Sequence, residues 1–165
     1  MEFEQLYELL QDEFSDAILG QDDQSTPTTV LVEPAMVYPV CLWLKENEAS
    51  YFDMLSCLTA LDNGPEINTM EVIYNLYSIP FNHHLMVRAV ISRKDPKIDS
   101  LVNLWRTADW HEREAFDLFG IEFNNHPDLR RILMPADWEG FPMRKDYIEP
   151  ETYRGMKTVR EEGQA

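Results

Sequence analysis

Two consecutive segments alternate between apolar and other side chains, and this alternation constrains the possible folds more than any other feature of the chain. Residues 69–79 read TMEVIYNLYSI and residues 84–93 read HLMVRAVISR. Alternate residues of a strand share one face, so each segment predicts a strand with one apolar side. Because only the four residues 80–83, PFNH, separate the segments, they predict an antiparallel hairpin. Its apolar face would be formed by Met70, Val72, Tyr74, Leu76, Leu85, Val87, Ala89 and Ile91.

Further strands and helices are predicted on both sides of this hairpin. β-Branched and apolar runs predict strands at residues 29–33 and 50–60. Apolar spacing of three and four residues predicts helices at residues 2–19, 40–45 and 109–119, with Gly20 and Gly120 placed to end the first and the last. A shorter helix over residues 101–106 would be capped by Asp99 or Ser100. The sequence therefore predicts an α+β domain over residues 1–123, with two layers, a mixed and mostly antiparallel sheet, and helices on one side.

The negative charge of the chain is concentrated in this predicted domain. Residues 1–123 contain 22 acidic and 7 basic side chains, whereas residues 124–165 contain 8 acidic and 7 basic ones. Nucleic acid and anionic lipid surfaces would be repelled by so acidic a domain, and neither is expected as a partner. No apolar run is long enough to span a membrane, and the first 20 residues do not have the pattern of a signal peptide.

Residue types that bind common cofactors are scarce. The chain has six glycines and two cysteines, Cys41 and Cys57, both in apolar surroundings. Two cysteines are too few for a cysteine-ligated iron–sulfur cluster and lack the spacing of a zinc site, so we expect two buried thiols. Neither GxGxxG nor GxxxxGK[ST] occurs, so no nucleotide site is expected. The sequence predicts no cofactor.

The predicted helix at residues 109–119 carries a carboxylate in the middle of its apolar face. This residue is Glu112, and Asp109 precedes it by three positions, as in a capping box. A buried carboxylate is costly unless it is paired. We therefore expect Glu112 to cap the helix and to form an ion pair with Arg130, Arg131 or Arg144. The opposite, polar face would carry Trp110, Arg113, Glu114 and Asp117.

A chemical alternative uses some of the same residues. A metal or acid–base site of a small metallohydrolase could be formed by His111, Glu112, Glu114 and His126, or with His83 and His84 in place of His126. The spacing does not favour this alternative. HExxH is absent, and His111 with Glu114 forms a single i,i+3 pair with no second copy.

Residues 124–165, the C-terminal arm, have no helical or strand periodicity and contain four prolines. A structureless segment of this length in a compact protein is usually functional or disordered. Disorder fits poorly, because the arm is rich in arginine, methionine and aromatic side chains, a composition typical of buried interfaces. We therefore interpret it as an extended arm that docks on a partner protein. The alternative is that it packs back across its own sheet.

The region around the start of the arm resembles a known family. ADWHEREAFDLFGIEFNNHPDLRRILMPADWEGFPMRKDY is similar to the signature of the C-type subunit of bacterial respiratory NADH:quinone oxidoreductase, complex I, in a family that includes the mitochondrial iron–sulfur-arm subunit and the chloroplast and cyanobacterial J-type subunit. The resemblance to the signature covers residues 104–147, and YFDMLSCLTALD and VIYNLYSI are similar to weaker family segments. Phe141 departs from the histidine that many members have there, which speaks against proton transfer at this position.

The resemblance implies a structural role and no redox role. Family members carry no flavin and no iron–sulfur cluster, so no catalytic, cofactor-binding or metal-binding residue is expected in the chain. Electron transfer from NADH to quinone, coupled to ion translocation, would belong to the assembled complex. The same signature is shared in part by subunits of related hydrogenases and of ferredoxin- or deazaflavin-linked dehydrogenases, which is the alternative assignment.

The resemblance also implies partners and interface residues. The C-terminal arm would dock on the D-type subunit, which carries the quinone site, and help to hold the neighbouring cluster-bearing subunits of the peripheral arm of the complex. The chain would meet the membrane only indirectly, at the cytoplasmic face of the inner membrane. Carried over by position, the anchoring residues would be Leu129, Arg130, Arg131, Ile132, Leu133, Trp138, Phe141, Arg144, Lys145 and Asp146.

Overall fold

The computed structural model of the chain describes residues 3–158. Three α-helices occur in this range: α1 Phe3–Phe14, α2 Val37–Glu46 and α3 Ala108–Phe119. The strands are β1 Ile18–Asp22, β2 Thr29–Val32, β3 Met54–Asp62, β4 Thr69–Ser78, β5 His83–Ser92, β6 Lys97–Asp99, β7 Glu122–Asn124, β8 Thr152–Tyr153 and β9 Met156–Lys157. Two short 3-10 helices, Ser15–Ala17 and Pro34–Met36, precede β1 and α2.

Five strands form one sheet in the order β1-β2-β5-β4-β3. β4 and β5 are the predicted hairpin, paired without a break from Thr69 opposite Ser92 to Ser78 opposite His83. The β1–β2 and β3–β4 pairs are also antiparallel, whereas β2 and β5 are parallel. The predicted α+β fold with a mixed, mostly antiparallel sheet is therefore confirmed. β6 and β7 form a separate parallel pair, and β8 and β9 form a small hairpin near the end of the described chain.

One face of the sheet is buried and packs against the helices. All eight residues predicted for the apolar face of the hairpin are buried, and Tyr74 is fully buried at its centre. They share one continuous core with Leu6 and Leu10 of α1, with the buried side of α2, and with the apolar residues of α3. Because each buried aliphatic or aromatic side chain contributes about 1.5–3 kcal/mol, this core is a major source of stability for the domain.

The opposite face of the sheet is not covered by any described helix. Leu61 and Val90 are partly exposed there, and Arg88 forms ion pairs with Asp22 at 3.4 Å and Glu71 at 3.6 Å. Cys57 lies next to a bulge in β3 and is half-buried, whereas Cys41 is fully buried in α2. The prediction of two buried thiols is thus correct for Cys41 alone.

The first helix is shorter than predicted. α1 ends at Phe14, and Gly20 does not terminate it but lies inside β1, the edge strand beside β2. Residues 15–17 form a 3-10 turn, after which Glu33 donates its backbone N–H to the Ala17 carbonyl at 2.9 Å. Pairing with β2 supplies these residues with backbone partners from outside the segment, so tertiary contact overrides local periodicity.

The other boundary differences have similar causes. α2 begins at Val37 and includes Pro39, which is tolerated because the first turn of a helix has no internal acceptor for its N–H groups. β3 begins at Met54 and not at residue 50, since Ser50 and Phe52 bond back to Leu44 near the end of α2.

The predicted helix over residues 101–106 is wrong, because this segment forms consecutive turns. Leu101, Leu104 and Trp105 are buried, and the Trp105 indole donates to the Phe52 carbonyl at 3.2 Å. Buried turns can give the same apolar spacing as a helix, so periodicity alone could not separate them. α3, by contrast, occupies the predicted residues and ends at Gly120, which adopts the left-handed conformation with φ of 74°.

Candidate partner interface

The C-terminal arm leaves β7 and runs over the end of the domain that carries α3. It has no regular structure between β7 and β8, so its backbone groups must find partners elsewhere. Several of these partners are side chains and carbonyls of the domain. The arm between residues 131 and 145 is therefore attached to the domain at defined points, which lie on α3 and at the end of β3.

The first attachment is the carboxylate of Asp117 in the last turn of α3. Its Oδ2 accepts hydrogen bonds from three successive arm amides, those of Ile132 at 2.9 Å, Leu133 at 2.7 Å and Met134 at 2.9 Å. Its Oδ1 accepts from the Arg131 guanidinium at 2.8 Å. Burial opposes ionisation, but the hydrogen bonds from Met134, Arg131 and the other two amides outweigh it and lower the pKa of Asp117 below its ordinary value.

Arg131 links this point to a later part of the arm. Its guanidinium also donates to the Asp117 carbonyl at 3.0 Å and to the carbonyls of Trp138 at 3.2 Å and Gly140 at 2.8 Å. One planar side chain therefore joins the end of α3 to two separated backbone sites, a geometry for which arginine is suited.

The second attachment lies at the C-terminal end of α3. Arg144 donates to the Phe119 carbonyl at 2.6 Å, and the Met143 amide donates to the Leu118 carbonyl at 3.0 Å. These carbonyls are among the last four of the helix, which have no partner within it. The Arg144 guanidinium also lies 4.6 Å from the centre of the Phe141 ring. A Cβ on Gly120 would approach the Phe141 ring to 2.5 Å, so the ring packs directly against this glycine.

The third attachment is Asp62 at the end of β3. Its Oδ2 accepts from the Lys145 amide at 2.8 Å, and its Oδ1 accepts from the Gly64 amide at 3.0 Å and from Arg93 at 2.8 Å. Arg93 also bonds to Asp146 of the arm. Burial raises the pKa of Asp62, but these hydrogen bonds outweigh burial and lower the pKa to about 2.

In addition to these attachments, parts of the arm contact one another. The Trp138 indole donates to the Tyr147 hydroxyl at 3.0 Å and packs at 5.0 Å from the Tyr153 ring. Asp137 accepts hydrogen bonds from Tyr153 at 2.7 Å and from Arg154 at 2.9 Å, which attaches the β8–β9 hairpin to the arm.

The predicted interface residues divide into two groups. Those facing the domain or the rest of the arm are half-buried: Leu129, Arg131, Ile132, Trp138, Phe141 and Arg144. Those facing outward are exposed: Arg130, Leu133, Lys145 and Asp146. Two further apolar side chains of the arm, Met143 and Ile148, are also exposed. The exposed group remains the predicted interface, although Asp146 is bonded to Arg93 and Arg130 to Asp128 within the chain. The half-buried group contacts the domain or the rest of the arm.

Glu112 has different partners from those predicted. It is fully buried, and it accepts hydrogen bonds from the Ser100 hydroxyl at 2.6 Å and the Leu101 amide at 2.7 Å. The helix begins after Thr107 without a side-chain cap, so the capping box is not formed. Glu112 thus anchors the loop before α3 instead of pairing with Arg130, Arg131 or Arg144, which lie at the arm. Burial raises its pKa to about 7, although both hydrogen bonds oppose this.

Asp109 and Asp117 also lie where the sequence does not place them. Asp109 is 3.4 Å from His126 Nε2 and 4.0 Å from Arg113, so it faces the start of the arm. Asp117 and Arg113, predicted on an exposed face, are buried because arm residues contact them, whereas Trp110 and Glu114 of the same face are exposed. The missed signal is an acidic residue in the last turn of a helix, where the helix dipole disfavours it unless it is paired.

The residues of the chemical alternative are only partly brought together. His126 Nε2 lies 3.9 Å from Glu112, but Glu114 is exposed. His83, the first residue of β5, hydrogen-bonds to the Ser50 carbonyl. Within residues 3–158, no group of three or more His, Cys, Asp or Glu side chains is arranged to hold a metal ion. None of the helices in the same range is long and apolar enough to cross a membrane.

Two bacterial proteins match most of the chain, and both are named as the C-type subunit of NADH-quinone oxidoreductase. The protein from Chloroherpeton thalassium is 39% identical over 93% of the chain, which spans 64% of that protein. The protein from Chlorobium phaeobacteroides is 39% identical, with 92% of each chain covered. The chain therefore spans less than two thirds of the first relative but nearly all of the second.

Two solved structures resemble the fold. The "Nqo5 of the trypsin-resistant fragment (1-134)" superposes with a TM-score of 0.56 at 28% identity, covering 75% of this chain and 98% of the fragment. A chain of the membrane-bound sulfane sulfur reductase, described as an archaeal respiratory membrane complex, superposes with a TM-score of 0.73 and covers 88% of this chain and 85% of its own. At 19% identity, the second likeness shows the fold alone.

A family model described as "Respiratory-chain NADH dehydrogenase, 30 Kd subunit" matches residues 30–153, which include the five-stranded sheet from β2 onward, α3 and most of the described arm. The resemblance inferred from the signature around α3 is thus confirmed by a match over most of the chain. The chain belongs to the family of the 30 kDa subunit of respiratory-chain NADH dehydrogenase.

Proposed function

We propose that the chain is a non-redox structural subunit of the hydrophilic peripheral arm of a respiratory NADH:quinone oxidoreductase. Membership of the 30 kDa subunit family, and relatives named as the C-type subunit of this enzyme, support the assignment. In this role the chain has no catalytic residue of its own and contributes to electron transfer from NADH to quinone, and to its coupling to ion translocation, by holding other subunits in place.

The outward side of the C-terminal arm is the surface proposed to dock on the D-type, quinone-site subunit. The observation that carries this proposal is a set of large apolar side chains exposed on an arm that is itself attached to the domain. Leu133 is 59% exposed, Met143 55% and Ile148 87%. Contiguous exposed apolar patches mark interaction sites in soluble proteins, and in this proposal the three side chains contribute to such a patch. Arg130 and Lys145, which are also exposed, add the hydrogen-bond donors typical of an interface rim.

Docking of this kind gives the chain its place in the cell. It would lie at the cytoplasmic face of the inner membrane as a peripheral component that meets the membrane only through its complex. We expect the same arm to help hold the neighbouring cluster-bearing subunits of the peripheral arm of the complex.

The proposal is tested by purifying the tagged chain from its native membranes in mild detergent and identifying the accompanying proteins by mass spectrometry. A double variant, Leu133→Asp with Ile148→Asp, places charges on the outward side of the arm and keeps the Leu133 backbone N–H that donates to Asp117. The matched control is Leu19→Asp, because Leu19 is 56% exposed on β1, an edge strand of the sheet. We expect the double variant to lose the D-type subunit and the control to retain it. Retention of that subunit by the double variant would contradict docking through the arm.

A second candidate function is the equivalent subunit of a related hydrogenase, or of a ferredoxin- or deazaflavin-linked dehydrogenase. It is kept because the fold also occurs in a chain of an archaeal respiratory membrane complex, the membrane-bound sulfane sulfur reductase, so the fold does not by itself separate the two candidates. The same purification separates the two candidates. Flavin- and cluster-bearing NADH-oxidising subunits would support the first, and a hydrogenase-type or ferredoxin-linked module would support the second.

A further inference from the structure

We infer that two buried carboxylates of the domain, Asp117 and Asp62, hold the C-terminal arm in its path before any partner binds, and are therefore positioning residues for docking. This inference rests on the proposed function in assuming that the arm is the docking surface. It adds that the surface is assembled by the chain itself and is not ordered by the partner.

Asp117 is placed to recognise the arm through its backbone. Three successive N–H groups converge on one carboxylate oxygen within 2.7–2.9 Å, which requires a local curve in the arm at Ile132, Leu133 and Met134. Convergent backbone N–H groups of this kind form a concave site for an anion, here supplied by the chain's own helix. Asp117 is fully buried. Water would replace these donors if the arm separated, but hydrogen bonds to a charged acceptor are net favourable within the chain, so the attachment does not require a partner.

Asp62 provides an equivalent point 11 residues further along the arm, counting from Met134 to Lys145. Its side chain is 1% exposed and is held in place by Arg93, which donates to both carboxylate oxygens. Its contact with the arm is to the backbone N–H of Lys145. The two carboxylates therefore come from different elements, α3 and β3, and together fix both ends of the segment between residues 132 and 145.

Fixing the two ends of this segment determines which of its side chains are exposed to a partner. Leu133 and Lys145 donate their backbone N–H groups inward to Asp117 and Asp62, while both residues are exposed. Met143, whose amide is bonded to α3, is exposed in the same way. A partner meeting this surface does not have to order the arm, which removes an entropic cost from association.

The first test measures hydrogen exchange of the isolated full-length chain without partners. In the native chain we expect the amides of Ile132, Leu133, Met134 and Lys145 to be protected. Asp117→Asn should increase exchange at the first three amides, and Asp62→Asn at the fourth, by roughly tenfold or more, because each loses a charge-assisted acceptor. Amides of β4 serve as the internal control and should be unchanged, which separates release of the arm from unfolding.

A matched control variant is Asp128→Asn, which removes the same charge from the arm but breaks only a surface ion pair with Arg130. It should leave all four amides protected. Should Asp117→Asn prevent folding, Arg131→Gln tests the same attachment from the arm side. Arm amides that exchange in the native chain at the rate of an unstructured peptide would overturn the inference, as would full protection in both Asp117→Asn and Asp62→Asn.

The second test is association with the native complex, measured by co-purification over a range of expression levels. A positioning role predicts that Asp117→Asn weakens association roughly tenfold, and that raising the concentration of the variant restores it. Unchanged association despite a released arm would overturn the positioning role. If the native chain joins no complex although its arm amides are protected, the proposed function fails while the attachment by the two carboxylates stands.

Discussion

The sheet and the C-terminal arm provide hydrogen-bond partners for their backbone groups in different ways. In the β4–β5 hairpin, ten residues of each strand pair with one another through the main chain, and the alternate side chains fill the core. In the arm, amides bond to Asp117 or Asp62, and carbonyls accept from Arg131. The sheet is therefore stabilised by many small apolar contributions, whereas the path of the arm depends on a few polar side chains.

The contrast extends to two carboxylates on the same helix. Glu112 and Asp117 are both fully buried in α3. Glu112 has two hydrogen-bond donors and a pKa raised to about 7, whereas Asp117 has four donors and a lowered pKa. Burial dominates at Glu112, where the charge of Asp109 adds to it, whereas at Asp117 the larger set of donors, including the Arg131 guanidinium, outweighs burial. The arm side of the helix is thus built to keep a charge, and the core side is not.

The largest expected effect is the loss of core packing in the sheet. Leu85→Ala in β5 removes a fully buried side chain from the face that packs against the helices, and should lower the free energy of unfolding by about 2–5 kcal/mol. Urea unfolding followed by far-UV circular dichroism measures this change. A loss below about 1 kcal/mol would contradict the view that apolar packing is the main source of stability in the sheet.

The next effect distinguishes the two carboxylates of α3 by their pH dependence. Glu112 has a folded-state pKa of about 7 against an ordinary value of 4.5, so the folded state binds more protons between these values and its stability falls as pH rises through them. Glu112→Gln keeps an acceptor for Leu101 and removes the ionisation. It should therefore stabilise the chain at about pH 8 by at most about 3 kcal/mol, with little change below pH 4.5.

Urea titrations of both proteins at several pH values on either side of this window provide the measurement. The difference in unfolding free energy between Glu112→Gln and the native chain should grow with pH and level off above about 7. A difference that is independent of pH would mean that Glu112 remains charged in the folded state like Asp117.

A smaller effect is expected at the junction between the two regions. Gly120→Ala should destabilise the chain by about 1–2 kcal/mol for the left-handed backbone, and by a further amount because its Cβ would lie 2.5 Å from the Phe141 ring. The matched control is Gly155→Ala, which has a φ of 81° and no neighbouring atom within 4 Å. Thermal unfolding of both variants measures the contribution of the Phe141 ring together with the Arg144 guanidinium, which the Cβ would approach to 2.8 Å. Equal losses would show that both side chains move aside.

The smallest effect is expected on the outward side of the arm. Ile148 is 87% exposed, so Ile148→Ala should change the unfolding free energy of the isolated chain by less than about 0.5 kcal/mol. The same urea measurement checks this value. A loss comparable with that of Leu85→Ala would mean that Ile148 packs on its own domain, and it would remove Ile148 from the proposed interface.

The same contrast explains which features could be predicted from the sequence. The β4–β5 hairpin and α3 with its terminal Gly120 follow from local periodicity and from a residue that permits the left-handed conformation. The path of the arm depends on contacts such as that between Asp62 and Lys145, which are 83 positions apart. No local pattern encodes such a pairing. Sequence periodicity therefore predicts an exposed Asp117, because the segment that buries it is not a regular element.

The attachment at Asp117 fixes the backbone path of the arm independently of the side chains that the arm carries. The carboxylate binds main-chain N–H groups, which every residue except proline possesses. The side chain of Leu133 can therefore be exchanged for another without altering where the chain runs. A mutational scan of this position should change the affinity and choice of partner while the geometry of the attachment stays constant. Position 133 can therefore present different side chains to a partner while the backbone around it stays attached to Asp117.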